Sequence, residues 1–298
     1  MEVSSTLSLS IIIPAYNEER RIGRCLEYVL AYVNKKRWDF ELIVVEDGST
    51  DNTRSIVSDF NFHDNRVKLL SLPTHLGKGG SIASAALFAA TKEFVTYMDV
   101  DLAAEPPELE RLLENIYDHD IVIGSRILRG NLPPVKRPIH RALFSLLYSK
   151  LFRMLFRIPI YDPQCGLKLF RAEIIEKLLN EINIAGFAFD TDIIVKACYL
   201  GLQIKEVPIN WTHGKSSTLN VITEIRSMAI DLFSIWYDYH LLWKKNGKSY
   251  PQKRFTIWGK VLFALLSMNY EIKNRKLKYS KFRDFIAQTS VVKGIKSN

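Results

Sequence analysis

Met98-Asp99-Val100-Asp101-Leu102 sets two carboxylates one residue apart at the end of an apolar run. Carboxylate oxygens held at one point suit a hard divalent cation, which takes oxygen ligands and shares them with substrate phosphates. Alone, such a pair is most often a solvated loop, so its weight depends on what stands beside it. Four more polar clusters close apolar runs: Pro14 to Glu18, Glu46 to Asp51, His75 to Gly80, and Gly124-Ser125-Arg126. The cluster around Lys78 offers backbone N–H groups and an ammonium to a nucleotide or its phosphates. Its bland reading is glycines placed for close packing. It lacks the P-loop spacing, and no G-x-G-x-x-G opens the first helix, which disfavours an NTPase or an NAD-type enzyme. Asp190 and Asp192, one residue apart near a helix start, fit either N-terminal capping or a functional carboxylate pair.

The elements that must position these groups read as strands alternating with helices. Leu9–Ile13, Phe40–Val45, Val67–Leu72, Phe94–Met98 and Ile121–Ile123 are short apolar runs, read as buried strands. Leu26, Val29, Leu30 and Val33 have helical spacing, Ser81–Thr91 is a small-residue helix, and Pro106-Pro107 opens an acidic helical pattern. Ser49, Thr50 or Asp51 is expected to cap the helix after the second strand. The alternation predicts an α/β fold, a mostly parallel sheet with helices on both faces. Ligands of such sheets sit beyond the carboxyl ends of the strands, where all five clusters fall. Farther on, Arg137–Arg157 is a basic amphipathic segment, Phe187–Asp192 opens a helix and Ile204–Trp211 is a further strand. Ile222–Trp243 has the spacing of a long amphipathic helix, expected in the core or an oligomer contact.

Charge divides the chain. Residues 244–298 carry fourteen Lys/Arg against Glu271 and Asp284, a net of +12, so residues 1–243 sum to −3 of the overall +9. A basic tail on a near-neutral body points to an anionic surface. We therefore expect two parts: residues 1–218 as a catalytic domain and 219–298 as a basic helical extension. That extension is expected to associate with a membrane or pack on the core. Cys25, Cys165 and Cys198 form no paired framework or zinc spacing, which suggests a reducing compartment. The N-terminus lacks the pattern of a signal peptide. No apolar run reaches the roughly 20 residues that span a bilayer. A nucleic-acid binder is disfavoured, because strand-end carboxylates repel phosphate without a cation.

Taken together, Ser10–Glu18 (SIIIPAYNE), Glu46–Asp51 (EDGSTD), Gly77–Gly80 (GKGG) and Met98–Leu102 (MDVDL) resemble family 2 glycosyltransferases. Gly124–Arg126 (GSR), Asp162–Phe170 (DPQCGLKLF) and Phe187–Asp190 (FAFD) are similar to the dolichyl-phosphate β-glucosyltransferase branch and its archaeal relatives. Dolichyl-phosphate mannose synthases share part of the set. The branch typically has Asp-Ala-Asp-Gly where this chain has Asp99-Val100-Asp101-Leu102, and Glu where it has Asp192. Both departures bear on the sugar and leave the reaction class intact.

The resemblance implies a GT-A fold and a metal-dependent enzyme using a nucleotide-diphosphate sugar, Mg²⁺ or Mn²⁺ and a membrane polyprenyl phosphate. It puts Pro14, Tyr16, Glu18 and Asp47 around base and ribose, Lys78 near the base, and Asp99 and Asp101 at the metal and diphosphate. Arg126, Arg137 and Arg141 would face the acceptor phosphate, with Asp101, Asp190 and Arg126 closest to the chemistry. The expected activity is inverting transfer of glucose from UDP-glucose to dolichyl phosphate, on the cytoplasmic face of a membrane. The processive Q-x-x-R-W signature is missing, which argues for single-sugar transfer. GDP-mannose is the alternative donor, a non-enzymatic nucleotide-sugar or lipid binder the alternative class, and a homo-oligomer is possible.

Overall fold

A computed structural model describes residues 6–128, 139–179, 188–212 and 228–239. Seven strands form one sheet in the order β3-β2-β1-β4-β6-β5-β7. They are β1 (Ser8–Ala15), β2 (Asp39–Glu46), β3 (Val67–Ser71), β4 (Phe94–Tyr97), β5 (Ile121–Ser125), β6 (Lys168–Arg171) and β7 (Ile204–Pro208). All neighbouring pairs run parallel except those of β6, which is antiparallel to both β4 and β5.

Burial on both faces explains the near-continuous apolar strands. Alternate residues of β1 serve different layers: Ile12 packs with Ile43 and Val45, whereas Ile11 and Ile13 pack with Leu42 and Val44. The Ile11 side is covered by α1 (Ile22–Val33), α2 (Thr53–His63) and α4 (Glu108–Ile116). The Ile12 side is covered by α3 (Lys78–Phe88), α5 (Ile139–Phe156), α6 (Ala172–Leu179) and α7 (Phe189–Tyr199). Residues 228–239 form a further helix on that side, where Leu232, Ile235 and Trp236 join the core. The rest of the Ile222–Trp243 pattern and the basic tail lie outside the described residues.

Two features of this topology position the site. The chain winds from β1 through β2 to β3, then returns to place β4 on the other side of β1. The crevice at such a reversal is where open α/β sheets bind ligands. It brings the end of β1 beside the end of β4. The second feature is β6, which the sequence pattern missed. Because it runs antiparallel, its first residue, Lys168, lies opposite Tyr97 at the end of β4 and Ile123 near the end of β5. An inverted strand thus delivers its N-terminal loop, residues 162–167, to the edge where its neighbours deliver their C-terminal ones.

Local boundaries also shifted. α3 begins at Lys78 rather than Ser81, because Gly77 adopts φ 82° and turns the chain into the helix. The residue preceding α2 is Asn52, without a side-chain cap. Asp51 does the equivalent work, its Oδ1 accepting from the Thr53 N–H at 3.0 Å and the Thr53 hydroxyl at 2.5 Å.

Candidate functional site

The loops after β1 and β2 are laced together by hydrogen bonds between backbone and short side chains. Asn17, at φ 54°, donates its N–H to Ser49 Oγ at 3.1 Å, and its own Oδ1 accepts from the Thr50 N–H at 2.8 Å. Left-handed backbone suits asparagine, whose side chain bonds locally. The Glu18 N–H donates to Thr53 Oγ1 at 2.7 Å, and the Glu19 N–H to Asp51 Oδ2 at 3.1 Å. The Glu18 carboxylate pairs with Arg21 at 2.6 Å.

Asp47 ties this lattice to the loop before α3. Its Oδ1 accepts from the Leu76 N–H at 2.7 Å and its Oδ2 from the Gly77 N–H at 2.8 Å. His75 Nδ1 lies 3.0 Å from the same carboxylate. Burial raises the Asp47 pKa, and these backbone donors and His75 oppose that rise. His75 in turn packs against the exposed ring of Tyr16, centroids 4.2 Å apart. The first half of the edge is therefore a tethered pair of loops carrying the aromatic pair Tyr16 and His75. His75 and the tethering use of Asp47 were not legible in the sequence.

The second half is ionic. Lys78 Nζ lies 2.7 Å from Asp99 Oδ1 and 3.8 Å from Asp190 Oδ2. Asp190 is buried, and its Oδ1 accepts from Lys168 Nζ and from the Tyr97 hydroxyl, each at 2.5 Å. Lys168, fully buried, also donates to the Cys165 carbonyl at 2.6 Å. Burial would lower the Lys78 pKa, but Asp99 and then Asp190 hold it above the ordinary lysine value. Burial would raise Asp190, but Lys168 and Lys78 hold it below the usual carboxylate range. The capping alternative for Asp190 fails: Ala188 precedes α7 with no side-chain cap, and the Asp190 carboxylate belongs to the ionic chain. Asp192 is hydrogen-bonded by Tyr239, fastening the helix at 228–239 to α7.

Asp101 faces solvent, with Oδ1 accepting from the Ala103 N–H at 3.0 Å. Partial desolvation by the surrounding loops and the nearby Asp99 charge raise its pKa. Two neighbouring carboxylates whose charges oppose one another make a donor set that a divalent cation would relieve. No group of three or more His, Cys, Asp or Glu among the described residues is placed to hold a metal ion. Two carboxylate ligands, with other positions left to phosphate and water, fit Mg²⁺ or Mn²⁺.

At the end of β5, Arg126 makes a bidentate pair with Asp162, both contacts at 2.7 Å, and lies over the Trp211 ring at 4.9 Å. Burial works against the Arg126 charge, but Asp162 raises its pKa above the ordinary value. The planar fork, expected to face a phosphate, thus spends one edge inside the protein. Asp162 takes two of its five N–H donors. Arg137 lies outside the described residues. Arg141 lies on α5, its side chain likewise outside them. Asp162, Lys168 and Tyr97 join the site unforeseen; a lysine inside the apolar run Leu167–Phe170 was the available signal.

Residues 10–179 match the family described as Glycosyl transferase family 2. A dolichyl-phosphate beta-glucosyltransferase of Drosophila melanogaster is 32% identical over 253 residues, covering 80% of this chain and 77% of the relative. The Homo sapiens protein of that name is 29% identical, covering 79% of this chain and 77% of its own. Among solved structures, glucosyl-3-phosphoglycerate synthase of Mycobacterium tuberculosis superposes with a TM-score of 0.59 at 20% identity. That alignment covers 77% of this chain and 80% of the other, whose structure contains Mn²⁺, UDP and glucosyl-3-phosphoglycerate. The likeness shows the fold.

Proposed function

The chain belongs to glycosyl transferase family 2, and from that premise we propose that it transfers glucose from UDP-glucose to a membrane polyprenyl phosphate of the dolichyl type. The observation that carries this reading is the meeting of Asp99 and Asp101 with Lys78 at the sheet's reversal point, in a chain whose relatives carry that activity in their names. Tyr16 and His75 form an aromatic wall for the nucleoside, with Pro14, Glu18 and the loop tethered by Asp47 around it. Asp99 and Asp101 would hold the divalent cation, which when bound would neutralise charge on the leaving diphosphate. Lys78 adds an ammonium to the same region.

The acceptor is a phosphate monoester with a second pKa near 6, so it is largely dianionic at neutral pH and needs little general-base help. One of its oxygens bonds to the anomeric carbon while the bond from that carbon to the diphosphate oxygen breaks. The electron pair leaves with UDP, and in-line displacement inverts the α-linked donor to a β-linked lipid product. Arg126, braced by Asp162, acts with Arg137 and Arg141 on the acceptor phosphate. Asp190 acts by fixing Lys78.

The lipid approaches along α5, where Leu143, Leu147 and Met154 are exposed at helical spacing, beside Lys150 and Arg157. Such a face suits an interfacial helix. No helix among the described residues is long and apolar enough to cross a membrane. The basic tail adds attraction for an anionic leaflet, roughly 1 kcal/mol per basic residue near the surface. We place the protein peripherally on the cytoplasmic face.

The test incubates purified protein with dolichyl phosphate, Mn²⁺ or Mg²⁺, and labelled UDP-glucose or GDP-mannose in parallel. We expect labelled lipid from UDP-glucose alone. Label from GDP-mannose alone would favour the second reading, for which Val100 and Leu102 in the metal motif speak. Label from neither would remove both.

A further inference from the structure

The carboxylate pair has a competitor inside the protein. Lys78 Nζ sits 2.7 Å from Asp99 Oδ1, a full ion pair, where a divalent cation would claim the same carboxylate. The charges alternate inward from there: Asp99, Lys78, Asp190, Lys168. The inner end is immobile, because Lys168 is fully buried and Asp190 also accepts from Tyr97. The outer end is not: the Asp99 side chain retains 32% of its exposure and that of Lys78 16%.

The wall behind the pair is equally specific. A Cβ at Gly166 would stand 2.3 Å from Asp99 Oδ2 and 3.5 Å from Lys78 Nζ. Glycine is required there because the loop entering β6 presses its backbone against the carboxylate. Asp99 therefore has no room toward β6, and it faces a lysine that has a second anion to turn to. Asp190 Oδ2, 3.8 Å away, is the anion already waiting on its other side.

We propose that Lys78 is an internal counter-ion to Asp99 that a divalent cation must displace, and that Asp190, anchored by Lys168, keeps the displaced ammonium within reach of the donor diphosphate. The cation alone meets the full competition of Lys78. When the diphosphate arrives as well, Lys78 gains a new anionic partner and Asp99 is freed for the cation. The two ligands then bind with positive coupling, and coupling of this kind is reciprocal. This inference rests on the donor reading given above and adds to it the reason for cation and nucleotide to bind together.

The test measures Mn²⁺ binding from the electron paramagnetic resonance signal of the free ion, for the full chain and for Lys78→Met, with and without UDP. Without UDP, Lys78→Met is expected to bind Mn²⁺ about tenfold more tightly than the native chain. UDP is expected to strengthen Mn²⁺ binding to the native chain by a larger factor than to the variant. Equal or weaker Mn²⁺ binding by Lys78→Met without UDP, beside a native chain that binds Mn²⁺ with UDP, would overturn this inference alone. A native chain that binds no Mn²⁺ with or without UDP would overturn the donor reading with it. Asp190 keeps Lys168 and Tyr97 in the variant, so folding is expected to survive. Lys78→Gln, which retains a polar head, must shift Mn²⁺ binding in the same direction.

Discussion

The two halves of the carboxyl edge are held by opposite means. On the β1–β2 side, backbone N–H groups of Glu18, Thr50, Leu76 and Gly77 are each taken by a side-chain oxygen. On the β4–β6 side, charges face one another: half-buried Lys78 with Asp99, buried Lys168 with Asp190, and half-buried Arg126 with buried Asp162. A backbone lattice fixes shape, and each net bond in it is worth about 1 kcal/mol. A buried ion pair adds little net stability, yet breaking one side of it costs about 3–5 kcal/mol. The first half can therefore lose a bond and keep its form. In the second, the buried pair of Lys168 and Asp190 cannot lose a partner without reorganising. Shape serves a base and ribose; fixed charge serves the diphosphate and its cation.

The largest effect is expected where that charge meets the ligand. Asp101→Ala removes an exposed carboxylate with one backbone contact. The fold should be retained while glucose transfer falls about a thousandfold, as the loss of several kcal/mol of leaving-group stabilisation implies. Label transfer beside a thermal melt checks both parts. Near-normal turnover would break the assignment of charge chemistry to this half. Next comes Lys168→Met, which leaves Asp190 with Tyr97 and a distant Lys78. We expect about 3 kcal/mol lost in urea unfolding, with the double variant Lys168→Met, Asp190→Asn costing less than the sum of the two singles. Additive losses would mean that the two groups do not act as a pair.

A smaller effect should follow from shape alone on the ionic side. Gly166→Ala places a methyl group against Asp99 Oδ2 without removing any charge. Donor kcat/KM should fall roughly tenfold, since small misplacements at a reacting centre are costly. Acceptor KM should hold. A loss confined to the acceptor would mean that the loop entering β6 serves the lipid rather than Asp99.

The same division explains what could be read from the chain. Although the β1–β2 lattice bonds residues 32 to 35 apart, the strands, the helices between them and the turns after β1 and β2 rest on local chemistry: apolar runs, Asn17 in left-handed backbone, Asp51 bonding two residues ahead. Such signals lie within a few residues of their effect. The ionic half rests on topology. Nothing within Lys168–Arg171 says that this four-residue strand runs against its neighbours, and only that inversion brings Lys168 to Tyr97 and Asp190. Arg126 was legible as a strand-end arginine, but its partner Asp162 is 36 residues away. Asp190 was read as a possible cap because position within a helix is local information. The lysines that claim it come from α3 and β6.

Thr53→Val sharpens the comparison at its weak end. Thr53 is fully buried, accepts the Glu18 N–H at 2.7 Å and donates to Asp51 at 2.5 Å. Valine keeps the volume and branching but removes the hydroxyl, leaving the Glu18 N–H without its partner. The expected cost is about 1 kcal/mol in urea unfolding. Donor KM should rise a few-fold as the loop after β1 loosens, with acceptor KM and the Mn²⁺ affinity of the ionic half unchanged. If Thr53→Val were as damaging as Lys168→Met, the lattice would be no more tolerant than the ion pairs, and the two halves would form one cooperative unit. If it moved Mn²⁺ binding, the coupling between nucleoside wall and carboxylate pair would run through the protein, across β1 and β4. Neither is expected, because the bonds of Thr53 end at Glu18 and Asp51, both on the β1–β2 side.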